Sequence, residues 1–316
     1  MPYGLKHLYH STIWVPDLDQ AAGYFDEVFG RESFVLGEYL GSKRSDLPRG
    51  HRNDYALFTP VAEVQLECVD PTLMLIDGVQ VHRSVPGPKL GALAWFVDGI
   101  VELWSEMRRQ GFGGFDQRVR SPAGEGPPLD VSSTPIIFTR PEETGLSYEL
   151  CVYLPRRDPR GDPPRPALSD SDPLGIEACS HHTVLTGVPE RASRFLVDIL
   201  AGQVFHRERN VVLGTESTFI ALADAVVELA QPLEGSPMAE ACRRSAPLDS
   251  YYSITWKVGD LDRVAKHLEA KAVPINIHGE TLIATDPSHG LGIPWGFSTM
   301  FNQNDPRQSQ PARSSG

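Results

Sequence analysis

Residues 10–30 read His10-Ser-Thr-Ile-Trp-Val-Pro-Asp-Leu-Asp-Gln-Ala-Ala-Gly-Tyr-Phe-Asp-Glu-Val-Phe-Gly30, and a second version follows about 170 residues later as His181-His-Thr-Val-Leu-Thr-Gly-Val-Pro-Glu-Arg-Ala-Ser-Arg-Phe-Leu-Val-Asp-Ile-Leu-Ala201. Each copy opens with a β-branched and aromatic run, breaks at Pro-Asp or Pro-Glu, and turns helical. Ala21, Tyr24, Phe25 and Val28 carry the three-to-four spacing of the first helix, and Phe195, Ile199 and Leu200 that of the second. Both copies then reach a matching strand. Val64-Gln-Leu-Glu67-Cys-Val-Asp-Pro71 resembles Val226-Val-Glu228-Leu-Ala-Gln-Pro232, with a Glu ahead of the Pro that ends the run.

Two further strand–helix openings lie between and after these. Ala92–Asp98 leads into Val101–Gly111, and Ser253–Asp260 leads into Leu261–Ala270. Gly111 reads as a helix C-cap. Strands follow each helix: Ile136–Thr139 and Leu146–Tyr153 in one case, Thr281–Thr285 and Leu291–Phe297 in the other. The chain is therefore four copies of one strand–helix–strands unit, arranged as two pairs. Residues 1–154 form the first pair and 175–300 the second. Between them, 155–174 is a proline- and charge-rich linker, and 301–316 is a polar tail expected to be disordered.

Composition agrees. A length of 316 residues allows about two domains rather than one large core. Apolar types make up 41% and charged types 22%, which excludes wholesale disorder. The 28 Gly and 27 Pro fit a β-rich chain with many turns better than a helix bundle. Acids outnumber Lys and Arg by 41 to 29, which excludes a phosphate-tracking nucleic-acid surface. The short basic clusters, Arg156 and Arg157 with Arg160, and Arg243 with Arg244, read as solvated loop charge. No secretory h-region precedes Val15, and no run reaches the ~18 apolar residues of a membrane span. A reduced, cytoplasmic protein without a membrane partner is expected. Cys68, Cys151, Cys179 and Cys242 lie far apart with no C-x-x-C, so they read as structural thiols. There is no P-loop, dinucleotide fingerprint or G-x-S-x-G elbow; Gly111-Phe-Gly-Gly114 is a helix-to-strand turn.

Such a βαβββ unit repeated in pairs, the first opening with His-x-x-Ile-x-Val-Pro-Asp-Leu-Asp at His10–Asp19, resembles the vicinal oxygen chelate superfamily. Glyoxalase I, methylmalonyl-CoA epimerase, the fosfomycin and bleomycin resistance proteins and the type I extradiol dioxygenases belong there. The resemblance covers residues 5–154 and 175–298. It implies an α+β fold of four βαβββ modules, forming two paired domains whose U-shaped mixed sheets surround a divalent metal. It further implies ligands from the first and last strands of each module. The first-strand positions are His10, about Ala92, His181 (or His182) and about Ser253. The last-strand positions are Glu67, Glu149, Glu228 and Pro294, with Glu149 in Gly145-Leu-Ser-Tyr-Glu-Leu-Cys, like the family's Gly-x-x-x-Glu ending. The metal set so implied is His10, Glu67 and Glu149 around one divalent ion, of Fe, Mn, Zn, Ni or Co. His181 and Glu228 form a second candidate site, in a pair that reads as a degenerate copy or a domain binding substrate or a partner.

The function expected is a metal-dependent enzyme acting on a small substrate chelated through vicinal oxygens. Isomerase, epimerase or lyase chemistry through a metal-stabilised enolate fits best, with Glu67 moving the proton. An Fe(II) ring-cleaving dioxygenase is an alternative, weakened because Ser253 and Pro294 are not its usual ligands. A metal-free small-molecule-binding or resistance protein is the other. The partner expected is the small-molecule substrate, with a homodimer compatible. Among the remaining candidates, His278 and His289 fall in turns and read as exposed, although His289 precedes the final strand. Trp14, Trp95 and Trp256 read as core. The direction of Tyr9, Tyr148, Tyr251 and Tyr252 stays open.

Overall fold

The computed structural model describes residues 2–35, 54–154, 158, 160, 166–169 and 171–309. It contains two eight-stranded mixed sheets built to one plan. The first runs Phe34–Val35, Ala56–Val61, Val64–Val69, Gly4–Trp14, Lys89–Asp98, Tyr148–Val152, Ile136–Thr139 and Gly114–Phe115. The second runs Gln203–Asn210, Thr215–Leu222, Ala225–Pro232, Ile176–Leu185, Ser250–Val258, Trp295–Ser298, Leu282–Thr285 and Ile275–His278. In each sheet a module's first strand pairs parallel with a later strand of its own module. It pairs antiparallel with the first strand of the sister module. Modules one and two therefore share a sheet, as do three and four. The edge strands are additions to the sequence reading: Phe34–Val35 and Gly114–Phe115 are too short to show a period, and the eight-residue Gln203–Asn210 is mostly polar.

Local chemistry sets the helices. Asp17 and Asp260 cap their helices by accepting the N–H groups of Gln20 and of Asp262 and Arg263. Gly111, at φ 84°, closes the helix Ile100–Arg109 as expected. Its N–H and that of Phe112 return to Arg108 and Met107. The helix Leu18–Tyr24 widens into a π turn over Phe25–Phe29, and Pro189–Ser193 widens likewise over Arg194–Ile199. The first ends at Gly30, φ 62°, where an added Cβ would meet Pro173 at 2.7 Å.

These helices exchange partners. Phe29 lies 5.1 Å from Trp295 of the other domain, and Phe195 stacks on Tyr148 at 5.5 Å between ring centroids. One apolar cluster consequently runs through both domains, and each fully buried Phe stabilises it by about 1.5–3 kcal/mol. With these helices between the sheets, the opposite face of each sheet forms a cup, and the helix Pro237–Ser245 packs on the cup side of the second. Among the described residues no helix is long and apolar enough to cross a membrane.

Two loop expectations need correction. Residues 155–157, 159, 161–165 and 170 of the linker and 310–316 of the tail lie outside the described residues. Arg160, however, is buried rather than solvated, and residues 301–309 are ordered up to a 3-10 turn at Pro306–Ser309. The cause is a motif present twice, Asp158-Pro-Arg160 and Asp305-Pro-Arg307. Arg160 pairs with Asp158 at 2.9 Å and donates to the carbonyls of Leu8 and Glu63, both at 2.6 Å. Arg307 pairs with Asp305 at 2.7 Å and donates to the carbonyls of Cys179 at 2.8 Å and Ser180 at 2.5 Å. Arg243 and Arg244 are exposed as expected, paired with Glu240.

Candidate active site

A β-bulge places each first-strand histidine. The ladder slips between Leu8 and His10 and again between Cys179 and His181. The slip puts two consecutive side chains on the cup, Tyr9 with His10 and Ser180 with His181. A bulge leaves backbone groups outside the ladder, and here the opposite domain takes them up. Asp224 accepts the Leu8 N–H at 2.7 Å, and Glu63 accepts the Cys179 N–H at 2.9 Å. The two Asp-Pro-Arg clamps hold the neighbouring carbonyls.

In the N-terminal cup the three implied residues converge on one imidazole. His10 Nδ1 lies 3.3 Å from Glu67 Oε2, and His10 Nε2 lies 3.8 Å from Glu149 Oε2. The Thr12 hydroxyl donates to Glu67 Oε2 at 3.1 Å and stands 3.2 Å from Nδ1. Its oxygen is thereby set to accept from Nδ1–H, which leaves the ring lone pair on Nε2. The cavity above measures about 400 Å³ and is walled by Tyr9, Trp14, Phe58, Phe96, Phe115 and Phe138, among others. Among the described lining residues none is Lys or Arg.

Burial governs the charge states. Burial, reinforced by Glu149, pushes the Glu67 carboxyl up to about 8. Burial raises Glu149 to about 7, against a hydrogen bond from Cys151 that lowers it. Burial, with the positive Arg160 nearby, lowers His10 to about 3, so the ring is neutral. Two carboxyls and a neutral imidazole without a counter-cation are the donor chemistry that a divalent ion satisfies. Among the described residues no three His, Cys, Asp or Glu side chains already form a metal-binding group. The N-terminal cup shows why: its two carboxylates address opposite nitrogens of one ring, so these three donors do not yet meet at a point.

The C-terminal cup repeats the positions with other contents. His181, not His182, is the counterpart of His10: Thr12 pairs with Glu67 in register as Thr183 does with Glu228. His182 points away, with Nδ1 2.7 Å from the Tyr251 hydroxyl. His181 Nε2 lies 3.4 Å from Glu228, while its Nδ1 is contacted by Ser180 at 3.1 Å and Asn302 at 3.3 Å. Glu228 accepts hydroxyls of Thr183 and Ser217, both at 2.6 Å. The Pro294 assignment is corrected by the ladder. Ala94 faces Glu149, and its counterpart Thr255 faces Gly296, so Gly296 stands where the N-terminal cup has its second Glu. Ser253 lines the cup, as Ala92 lines the other. The cavity is about 280 Å³, and Met300, Phe301, Asn302 and Gln303 help to wall it.

The remaining candidates divide. Tyr9 and Tyr252 line cups, whereas Tyr148 and Tyr251 face the interdomain core. Trp95 and Trp256 are fully buried, but Trp14 lines the N-terminal cavity. His278 and His289 are exposed. Sequence reasoning missed Cys151, which lines the N-terminal cup with Sγ 3.2 Å from Glu149 Oε1. Strand alternation carried the signal, since residues two apart share a face.

No protein-family model matches the chain, and no curated protein matches its sequence. Solved structures do. A triple mutant of 4-hydroxymandelate synthase from Streptomyces coelicolor matches over 94% of this chain and 92% of its own, at 13% identity and a TM-score of 0.59. The chain has the vicinal oxygen chelate fold. Methylmalonyl-CoA epimerase from Mycobacterium tuberculosis matches over 42% of this chain and 91% of its own, at 20% identity and a TM-score of 0.36. The fold matched over the whole chain accounts for four modules in two pairs; the chemistry has to be read from the cups.

Proposed function

We propose that the N-terminal cup is the active site of a metal-dependent enzyme acting on a small molecule with two adjacent oxygens, by isomerisation, epimerisation or elimination. The observation that carries this reading is two largely buried carboxyls flanking a neutral imidazole in a cavity whose described lining has no Lys or Arg. His10, Glu67 and Glu149 would hold the cation, which would supply electrophilic stabilisation to an oxygen gaining negative charge. The chain's own residues do the rest. Glu67, which Thr12 orients, would ionise when the cation binds and, displaced from it, take a proton from a substrate carbon and return it. The rings of Tyr9, Phe58 and Phe96 exclude water and offer flat apolar contact. One observation favours a metal-free binding protein instead, namely that the two carboxylates address opposite ring nitrogens.

Metal content separates the two. Purified protein supplied with Fe(II), Mn(II), Zn(II), Ni(II) and Co(II) in turn is expected to retain one ion per chain by mass spectrometry. Affinity should fall at least about 100-fold in His10→Ala and in Glu149→Gln and stay unchanged in Glu228→Gln. If none of the five ions binds stoichiometrically, the metal reading is wrong and the metal-free one stands.

A further inference from the structure

We propose that Cys151 is a metal donor of the N-terminal cup, acting with His10 Nε2 and Glu149, while Glu67 holds the imidazole from its other nitrogen. The inference rests on the metal reading above and changes its donor set. Glu149 and Cys151 lie on one face of the strand Tyr148–Val152, and both line the cavity. Two donors on one ion, each at roughly 2.0–2.3 Å, stand about 3.0–3.5 Å apart. The Sγ–Oε1 distance of 3.2 Å falls inside that range, and the Nε2–Oε2 distance of 3.8 Å needs only a small closure. The two oxygens of Glu149 thus sit between the thiol on one side and the imidazole on the other.

Glu67 belongs to a different part of this arrangement. It stands with Thr12 at Nδ1, away from the nitrogen that faces Glu149. A metal-bound imidazole commonly donates its other N–H to a carboxylate, which fixes its tautomer and orientation. Glu67 stands behind that N–H through the Thr12 hydroxyl, which accepts from Nδ1 and donates to Glu67 Oε2, and in this role it stays available to carry a proton. The second module offers no imidazole of its own, because Ala92 occupies the counterpart of His10; Cys151 supplies the donor from the last strand. The other three cysteines do not line this cavity. Cys68 and Cys179 are buried in the core, and Cys242 lies on the helix Pro237–Ser245. A sulfur donor shifts preference toward Zn(II) and Co(II) and away from harder ions such as Mg(II) and Mn(II). As the metal–sulfur bond forms, the thiol proton passes to solvent.

Cobalt reports the donor directly. The full chain is titrated with Co(II) alone, in wild type, Cys151→Ser and Cys242→Ser. Wild type and Cys242→Ser should show visible d–d bands together with a near-ultraviolet thiolate-to-cobalt charge-transfer band, saturating at one equivalent. Cys151→Ser should keep the d–d bands, lose the charge-transfer band and bind at least about 10-fold more weakly. Wild-type d–d bands without the charge-transfer band would overturn the assignment of Cys151 and leave the metal reading intact. A charge-transfer band that persists in Cys151→Ser also overturns it. No cobalt spectrum at all in wild type overturns both readings together. The wild-type spectrum alone can defeat the proposal, so the test does not depend on the variant folding.

Discussion

Position by position, the two cups share His10 with His181, Thr12 with Thr183 and Glu67 with Glu228. They differ where Ala92 meets Ser253, Ala94 meets Thr255 and Glu149 meets Gly296. The shared residues do not behave alike. In the C-terminal cup Glu228 is held by two hydroxyls, and His181 has Glu228 at Nε2 but only the neutral Ser180 and Asn302 at Nδ1. In the N-terminal cup the same Glu meets one hydroxyl and a neutral ring, and a second acid stands across that ring. Polar groups satisfied by the protein build structure, and groups left under-satisfied retain capacity for a ligand. The walls follow the same division. Tyr9 in one cup corresponds to Ser180 in the other, and Cys151 to Ser298.

The largest effect expected from breaking this pseudo-symmetry lies beneath the cups, at the two arginine clamps. The Arg160 side chain is 4% exposed and its partner Asp158 is 0% exposed. Arg160→Ala should destabilise the chain by about 3–5 kcal/mol, because it takes the guanidinium from two carbonyls and from the buried Asp158 carboxylate, which is left with His7 Nε2 at 2.7 Å. Arg307 is 16% exposed, and Arg307→Ala should cost about 1–3 kcal/mol. Urea denaturation measures both. Equal losses would mean that the clamps are equivalent and that the bulge under His10 has no special support. Lysine at 160 should not rescue, since a point charge cannot serve carboxylate and carbonyls as a planar fork does.

Much of this was legible in the sequence, and what was not has identifiable causes. The repeated His-to-helix opening and the Glu before each strand-ending Pro put His10 with Glu67 and His181 with Glu228 on paired strands, because both first strands meet their parallel partners in the same register. Glu149 followed from its Gly-x-x-x-Glu setting. Pro294 was two residues off because counting from hydrophobic runs cannot see the ladder that pairs Thr255 with Gly296. The bulges shift the period-two phase, so the direction of Tyr9 and Trp14 could not be counted from neighbours. Arg160 and Arg307 escaped because proline-rich polar stretches usually lie in solvent. Their twofold Asp-Pro-Arg was nonetheless visible.

A smaller effect, opposite in sign between the cups, should follow from removing each shared acid. Glu67 and Glu149 hold protons in the folded chain up to about pH 8 and 7. In the unfolded chain a Glu releases its proton near 4.3. Below the unfolded value both states are protonated and nothing is gained or lost. Between there and about pH 8 the folded metal-free chain binds more protons, so its stability falls as pH rises. Metal-free Glu67→Gln should therefore differ least from wild type at pH 5 and melt at a clearly higher temperature at pH 8. Glu228→Gln should be destabilised by about 1–3 kcal/mol across the range, because the amide nitrogen cannot accept one of the two hydroxyls. Melting curves from pH 5 to 8 decide it, and a Glu67→Gln variant that loses stability at pH 8 would remove the unsatisfied-acid account of the N-terminal cup.

The smallest and most exacting expectation is that the C-terminal cup can be given the missing donor only by changing two residues together. A Cβ on Gly296 would lie 2.5 Å from Thr255 Oγ1, so Gly296→Glu alone should be destabilised and bind no metal. The N-terminal cup has Ala94 at that place. Thr255→Ala with Gly296→Glu reproduces its pairing of a small residue with an acid. In a Glu149→Ala background, which silences the first cup, the double variant should show measurable Co(II) binding by calorimetry. That binding should remain at least about 100-fold weaker than the wild-type N-terminal site, because His181 turns Nε2 toward Glu228 and has Ser180 and Asn302 at Nδ1. If the grafted cup bound as tightly as the native one, ring orientation would carry no weight. The two cups would then differ by a single missing carboxylate, and the tautomer set by Glu67 and Thr12 would cease to explain why the N-terminal cup is the one suited to a metal.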